Sequence, residues 1–226
     1  MLQPSRFVTA RSRQRVVRVL AGVVAAAVAI SLGGIARASG AVPSFHYVNP
    51  LRAVVNLRAS RIDMGVDYSG RGPILALGRA KIVLASDRLT GPESCWGRTC
   101  VPAPGDMIVY RLLDGPFAGK FVYVVENITI KVKAGQTVRA GATIAILHQA
   151  SPNLEIGWAS GHGPETLAAA RRHQCSCRDP GGWSSIEGRN FNALLVRLGA
   201  PSGYVTTAPP NQRMPRGWPS LPPSRR

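Results

Sequence analysis

The sequence predicts an all-β fold, a β-sandwich followed by two short C-terminal helices. Three observations lead to this prediction: short β-branched and aromatic runs recur from residue 62 to residue 147, Gly and Pro turns separate them, and helical periodicity appears only after residue 160. The chain has 226 residues, of which 45% are hydrophobic, so it can bury the core of one such domain and still carry appendages.

The first predicted strand is Ile62–Tyr68, a mainly apolar run that contains two aspartates. A turn rich in Gly and Pro at residues 70–73 separates it from two short strands at 74–78 and 81–85.

The clearest hairpin lies in the middle of the chain. Its strands are predicted at 106–113 and 120–126, because residues 114–119 between them have turn chemistry. Two further strands, at 129–132 and 142–147, complete the β region.

Two helices are predicted after the β region. Residues 164–173 begin with a proline, contain an early acid and end with basic residues, which suits the helix dipole. Residues 190–199 place four apolar side chains on one face and end at Gly199.

The start of the chain has the profile of an exported protein. Residues 1–18 carry five arginines and no acid, residues 19–35 are uncharged, and Ala36–Ala38 supplies a small-x-small cleavage signal. We therefore predict a secreted or extracytoplasmic protein of a bacterial cell envelope, with an uncleaved N-terminal anchor as the alternative to cleavage. The predicted organisation is a signal peptide or anchor (1–38), a lead-in (39–60), a β-sandwich domain (45–160), a helical, Cys-containing extension (161–205) and a disordered Pro- and Arg-rich tail (206–226).

The charge is strongly positive. Of the formal net charge of +17, six charges belong to arginines of residues 1–38, so the chain without them carries +11. Outside the cytoplasm, the anionic partners of such a chain are wall polymers and phospholipid headgroups. The alternative is that the arginines reflect a GC-rich genome. No basic run with interleaved aromatics predicts nucleic-acid binding.

Two short apolar stretches contain acids that need a partner or a function. Asp63 and Asp67 lie four residues apart around Gly65, and Glu155 lies in the run 152–158. Because ionised groups are costly to bury alone, we expect the two stretches to meet at one acidic site. In the alternative, structural interpretation, Asp63 or Asp67 caps a turn and Glu155 pairs with an arginine.

Three motifs in this order resemble a known family. They are Asp63-x-Gly65-x-Asp67, the hairpin VKAGQTVRAG at residues 132–141, and Asn153-Leu154-Glu155. They are similar to H-x-G-x-D, V-x-x-G-Q-x-V-x-x-G and H-x-H of the lysostaphin- and LytM-type wall endopeptidases, peptidase family M23. The resemblance covers residues 45–160 and implies a β-sandwich of the duplicated hybrid motif type and a function at the bacterial cell wall.

The resemblance also implies site positions. In the family, zinc is held by the His and Asp of the first motif and by the second His of H-x-H, which correspond to Asp63, Asp67 and Glu155. Asn153 and Glu126 stand where the family has assisting histidines. None of the chain's own histidines occupies these positions; they are His46, His148, His162 and His173.

These departures change the expected chemistry. Zinc prefers imidazole and thiolate, whereas carboxylates suit Ca²⁺, Mg²⁺ or Mn²⁺. We therefore expect no zinc-assisted peptide hydrolysis, and calcium or magnesium if an ion binds. Without a metal the acids repel one another, so at least one pKa should be raised or Arg61 should neutralise the charge. Glycoside hydrolases also use two carboxyl groups with different pKa values, so this class of enzyme is a further possibility.

Four residues are candidates for substrate binding: Trp158, Trp96, Arg61 and Asn153. An indole ring can stack on a sugar or a peptide, although core packing or a place in a lid explains a tryptophan equally well.

The four cysteines of an exported chain predict two disulfides. Cys175 and Cys177 are too close in sequence to bridge comfortably, so we expect bonds from them to Cys95 and Cys100. A local Cys95–Cys100 bridge is the alternative. The export signal argues against a metal cluster in His173-x-Cys175-x-Cys177.

Two functions compete at this point. The first is an exported M23-like protein that binds peptidoglycan or regulates a partner wall hydrolase. The second is a wall hydrolase in which Asp63, Asp67 and Glu155 act alone or with a hard divalent metal. A biotinyl or lipoyl carrier is excluded because no Met-Lys or comparable exposed lysine lies between paired hairpins. Membrane contact is expected only through an uncleaved N-terminal segment.

Overall fold

The computed structural model describes residues 47–87, 106–149, 154–173 and 183–221. They form ten strands and two helices: β1 (Val55–Ile62), β2 (Val66–Leu75), β3 (Ala80–Ser86), β4 (Asp106–Leu112), β5 (Phe121–Glu126), β6 (Ile128–Ile130), β7 (Thr137–Val138), β8 (Thr143–Leu147), β9 (Leu154–Ala159), α1 (Leu167–Ala170), α2 (Ile186–Arg197) and β10 (Tyr204–Val205). In this part of the chain, no helix is long and apolar enough to cross a membrane.

The strand β2 organises the sheet. Its first half pairs with β1 and β9, and its second half pairs with β8, which in turn pairs with β6. The main path of the sheet runs β10-β1-β2-β9-β5-β4-β3-β7. All pairings are antiparallel except that of β1 with β10. This curled antiparallel sheet confirms the all-β prediction.

The main core lies between the main path of the sheet and the pair of strands β6 and β8. It contains Ile128 and Ile144 from β6 and β8 together with Val124 and Ile156 from β5 and β9. Side chains alternate between the two faces of a strand, so every second residue of β5 and β9 enters this core. The alternate residues face the other way, and we call that side of the main sheet the site face.

The site face has a smaller apolar cluster of its own. Met107 and Val109 of β4 pack there with Tyr123 and Val125 of β5 and with Ala159 of β9, and all five are buried. Consequently, β4, β5 and β9 are buried on both faces, which explains why their sequences are nearly continuous apolar runs.

Both C-terminal helices are present, with shifted boundaries. The first is only one turn long, because Thr166 caps its start by accepting a hydrogen bond from Ala169 N, and Arg172 beyond its end has a left-handed φ of 58°. The second starts at Ile186, before the predicted residue 190, because the Ser185 side chain accepts a hydrogen bond from Gly188 N and caps it there.

The expectation of a disordered tail is wrong for residues 206–221. The Trp218 ring lies 5.3 Å from the Trp158 ring, and both indole N–H groups donate to Asn190 Oδ1. Met214 and Leu221 also pack against the main core. A few apolar side chains anchor a segment whose overall composition is polar, and composition alone does not reveal such contacts. The domain boundaries predicted from sequence stay predictions, as does the leader, since residues 1–46 lie outside the described ranges.

Candidate acidic site

The turn between β1 and β2 positions the first two acids. Asp63 N donates to Gly65 O at 3.1 Å, and Gly65 N donates back to Asp63 Oδ1 at 3.3 Å, which closes a tight turn. Asp67 follows on β2 with its side chain on the site face. Both aspartates are almost fully buried, with 2% and 7% exposure. Asp63 therefore does stabilise a turn, as the structural interpretation expects, and it also belongs to an acidic cluster.

Strand register brings the third acid to the same place. Asp67 of β2 is the direct cross-strand partner of Glu155 on β9, so both side chains lie on one face. One oxygen of each of Asp63, Asp67 and Glu155 lies within 4.8 Å of the others. The two acidic stretches meet, as the sequence predicts, and we call these three residues the acidic cluster.

Arg61 covers the acidic cluster. Its Nη2 lies 3.1 Å from Asp63 Oδ2 and its Nε lies 2.9 Å from Asp67 Oδ2. The side chain of Arg61 is 47% exposed, whereas the carboxylates beneath it are buried. Burial alone lowers the pKa of Arg61, but the charges of Asp63 and Asp67 outweigh burial and raise it, so the guanidinium stays charged. Arg61 thus binds the acids instead of standing free for a substrate.

Tyr123 holds Glu155 from the other side, and sequence reasoning missed it. The Tyr123 hydroxyl donates a short hydrogen bond to Glu155 Oε1, and both side chains are buried. A Cβ atom at Gly65 would clash with this hydroxyl, and one at Gly157 would lie 2.8 Å from the ring. Glycine at these two positions therefore makes the space that Tyr123 fills. Nothing local marks Tyr123, because it is 32 residues from Glu155.

The pKa values of the cluster are displaced upward. Burial and the charge of Asp63 raise the pKa of Asp67 to about 7, against the opposing effect of Arg61. Burial, followed by the charges of Asp63 and Asp67, raises the pKa of Glu155 well above its ordinary value. Burial and the nearby Glu155 carboxyl likewise keep Tyr123 protonated by raising its pKa. The cluster therefore holds at least one proton at neutral pH.

Glu126 lies beside the cluster but not within it. It ends β5 in a left-handed conformation, with φ of 94°, opposite Leu154. Burial and the charges of Asp67 and Asp63 raise the pKa of Glu126 to about 8. Its carboxyl is not one of the three that meet within 4.8 Å.

The N-terminus of α2 fixes the acidic turn from behind. Ser184 and Ser185 donate hydrogen bonds to the backbone oxygens of Ile62 and Asp63, at 2.7 and 2.8 Å. Gly188 lies so close that a Cβ atom there would clash with Asp63 O. The adjacent Glu187 is fully buried, forms an ion pair with Arg171 and shares a hydrogen bond with His173 Nδ1. The helical extension thus supports the site without contributing a carboxylate to it.

Other predicted site residues lie elsewhere. Trp158 is fully buried in the main core, on the face of β9 opposite to Glu155, and its ring packs against Phe191. The proposal that it stacks on a substrate is therefore wrong, because alternate residues of one strand face opposite sides. Asn153 and Trp96 lie outside the described residues. So do all four cysteines, and both disulfide patterns stay predictions.

The acidic cluster does not fit zinc. Among the described residues, the only group of three potential ligands that could share an ion is all-carboxylate, without imidazole or thiolate. Arg61 already supplies a cation to Asp63 and Asp67, and Tyr123 bonds to Glu155. A calcium or magnesium ion has the right ligand chemistry but would have to displace the guanidinium, so this ion stays a prediction.

The fold and the site define an all-β protein with a buried acidic cluster closed by an arginine. No protein-family model matches the chain, and no curated protein matches it. One similar solved structure is a proposed M23 peptidase from Pseudomonas aeruginosa, with 17% identity and a TM-score of 0.35 over 51% of this chain and 45% of that one. Another is lysostaphin, with 15% identity and a TM-score of 0.41 over 74% of this chain and 60% of that one. The match spans less than two thirds of either structure's own chain, and at these values it assigns neither family nor activity.

Proposed function

We propose that this is an exported, M23-like protein that binds the bacterial cell wall, or regulates a partner wall hydrolase there, and is not a zinc endopeptidase. The observation that carries the proposal is the double ion pair of Arg61 with Asp63 and Asp67. These aspartates stand where the resembling family has two zinc ligands. A guanidinium at that position provides positive charge without a Lewis acid and without a bound water to attack a peptide.

The ion pair is not easily exchanged for a metal. The two aspartates are nearly dry, and a charge-assisted hydrogen bond to a buried carboxylate is stronger than a neutral one. Displacing Arg61 would lose the hydrogen bond to Asp67 and the ion pair with Asp63 at once. The positive charge that neutralises the acidic cluster therefore comes from Arg61, a residue of the chain itself.

The surface of the protein supports attraction to an anionic polymer. Among the acids in the described ranges, only Asp87 is exposed, and the others are buried or half-buried. Many cations are exposed and form no ion pair with another described residue. They are Arg52, Arg58, Arg71, Lys81, Arg111, Lys131, Lys133, Arg139, Arg172, Arg213 and Arg216. A surface of this kind concentrates near anionic wall polymers through long-range attraction.

A second candidate is hydrolysis by the carboxyls themselves. It is favoured by the pKa of Asp67, about 7, which suits proton transfer at neutral pH. Burial argues the other way: the exposed fractions of Asp63, Asp67 and Glu155 are only 2%, 7% and 1%, and Arg61 covers both aspartates. A substrate bond does not reach carboxyls buried in this way, so we rank binding above hydrolysis.

Purified bacterial walls test both candidates. The full chain should sediment with walls and release no peptide fragments, whether or not EDTA is present. Stoichiometric zinc together with EDTA-sensitive crosslink cleavage would overturn the proposal. Glycan cleavage that persists in EDTA and is lost in Glu155→Gln would establish the hydrolase instead.

A further inference from the structure

The strand β10 brings an exposed aromatic residue next to the acidic site. Tyr204 of β10 is the parallel cross-strand partner of Arg61 on β1, and neighbouring strands lie about 4.8 Å apart. Tyr204 is 58% exposed. Among the described residues it belongs to no apolar cluster, and its ring and hydroxyl have no aromatic contact or hydrogen bond. Packing within this part of the chain therefore does not explain the ring.

The residue before Tyr204 fixes the side on which the ring lies. A Cβ atom at Gly203 would lie 2.9 Å from side-chain atoms of Ile62 and Val66, two residues of the main core. Successive residues of an extended chain face opposite sides, so Tyr204 lies on the site face. Gly203 N also donates to Oδ1 of the buried Asn192 at 2.9 Å. This anchoring fixes the backbone at Tyr204 and so lowers the entropic cost of a contact with a ligand.

Arg61 lies on the same face and keeps one nitrogen free of the acids. Its Nε and Nη2 hold Asp67 and Asp63, whereas Nη1 donates no hydrogen bond to another described residue. The guanidinium is planar, so the two aspartates also fix the direction of the Nη1 donor. The side chain is 47% exposed. Arg61 therefore presents a positioned donor that has no acceptor among the described residues.

The local charge favours a neutral ligand. The three carboxyls of the acidic cluster are covered by the single guanidinium of Arg61, which pairs with two of them. Their negative charge balances the guanidinium, so this part of the surface offers a donor without an excess of positive charge. An anionic group therefore gains little attraction here. A neutral carbonyl oxygen can accept from Nη1 without bringing a further negative charge towards the acids.

We propose that Tyr204 and Arg61 form a subsite for an N-acetylated sugar unit of the wall glycan. The Tyr204 ring packs against C–H groups of the sugar, because the negative face of an aromatic ring attracts them. Arg61 Nη1 donates to the carbonyl oxygen of the acetamido group. The two residues are neighbours on adjacent strands, so one sugar unit reaches both. This subsite rests on the proposed wall binding and assigns it to the glycan strands instead of the wall peptides.

The substitution Tyr204→Ala tests the ring. The full chain is titrated calorimetrically with oligomers of N-acetylglucosamine and with glucose oligomers of the same length and linkage, which carry a hydroxyl in place of each acetamido group. The wild type should bind the N-acetylated oligomer more tightly, and Tyr204→Ala should weaken that binding by about fivefold. The melting temperature should stay near that of the wild type because the residue is exposed. Tyr204→Phe keeps the ring and should bind like the wild type.

The substitution Arg61→Lys tests the donor. Lysine keeps a positive charge for the two aspartates but has no planar group with a second donor edge. The preference for the N-acetylated oligomer over the glucose oligomer should therefore disappear, whereas binding of the glucose oligomer should persist. An unchanged preference in a folded Arg61→Lys variant would remove Arg61 from the subsite and contradict the proposal.

The matched control is Val205→Ala, which shortens the neighbouring exposed side chain on the other side of β10. It should bind both oligomers like the wild type. Equal losses in Val205→Ala and Tyr204→Ala, or wild-type binding by Tyr204→Ala, would overturn the subsite even if the chain still sedimented with walls. A dimer that dissociates in Tyr204→Ala, without oligomer binding, would assign the ring to a second copy instead. If the wild type neither sedimented with walls nor bound the oligomers, the proposed function would fail as well.

Discussion

Asp67 lies directly opposite Glu155 on neighbouring antiparallel strands, and both carboxyls are nearly or fully buried. Two ionised acids at this distance would repel each other strongly in a dry environment. The raised pKa values show how the structure avoids this: at neutral pH the cluster holds a proton, and Arg61 neutralises the charge that remains. A proton and a guanidinium thus balance the negative charge of the acidic cluster.

Replacing Arg61 by Gln should destabilise the fold. The substitution leaves Asp63 and Asp67 buried without their cation. Removing one partner of a fully buried ion pair costs about 3–5 kcal/mol, and the half-exposed Arg61 should cost less, about 1–3 kcal/mol. Denaturant unfolding at pH 7 measures the loss. Arg213→Gln, at an exposed site with no ion pair to a described residue, should change stability by under about 0.5 kcal/mol. Equal stability of the two variants would show that the Arg61 pairs contribute nothing.

Divalent cations should distinguish wild type from Arg61→Gln. In the wild type the guanidinium competes for the aspartate oxygens, so millimolar calcium or magnesium should leave the melting temperature unchanged. In Arg61→Gln three carboxylates are left for an ion, and the melting temperature should rise with RT ln(1 + [L]/Kd). Adding Asp67→Asn should remove that rise. A calcium-dependent rise in the wild type that Asp67→Asn abolishes would instead establish a native metal site.

Stability should fall as pH rises through neutrality. Folding raises the pKa of Asp67 from 3.8 to about 7 and that of Glu126 from 4.5 to about 8, so the native state binds more protons than the unfolded state between these limits. These groups therefore favour the folded state below about pH 4 and lose that contribution progressively up to about pH 8, by at most about 1.4 kcal/mol per pH unit and proton.

Glu126→Gln isolates one of these protons. The variant should lose less unfolding free energy than the wild type between pH 5 and pH 8, because its side chain does not titrate. Chemical denaturation across this range measures the difference. Parallel pH profiles of the two proteins would show that the Glu126 pKa is not raised.

Tyr123→Phe should weaken the hold on Glu155. The substitution keeps the ring between Gly65 and Gly157 but removes the only hydroxyl that donates to Glu155 among the hydrogen bonds of the described residues. Leaving a buried acceptor unsatisfied costs about 1–3 kcal/mol. Tyr68→Phe is the matched control, since it loses a hydrogen bond to Pro201 O away from the cluster. Only Tyr123→Phe should also alter the pH dependence of stability, and identical profiles for both variants would contradict its role.

The hairpin of β4 and β5 and the meeting of the acids could be predicted from sequence because both follow from local pattern. The predicted turn at residues 70–73 is wrong, because β2 runs through these residues. Alternation and turn residues mark β4 and β5, and acids in short apolar runs imply shared burial. Arg61 could be named as a neutralising group because it lies two residues from Asp63 and six from Asp67 on one hairpin. The start of α2 was misplaced, because Ser185 caps it outside the apolar repeat that marks the helix.

The sequence by itself determined the all-β class, the two short apolar stretches that carry the acids, and the excess of positive charge. Only the tertiary structure decided that Trp158 belongs to the core, that Tyr123 holds Glu155, and that Tyr204 lies beside Arg61. Composition and periodicity are properties of neighbours along the chain. Strand register pairs residues that are tens of positions apart, and it sets the face on which each side chain lies.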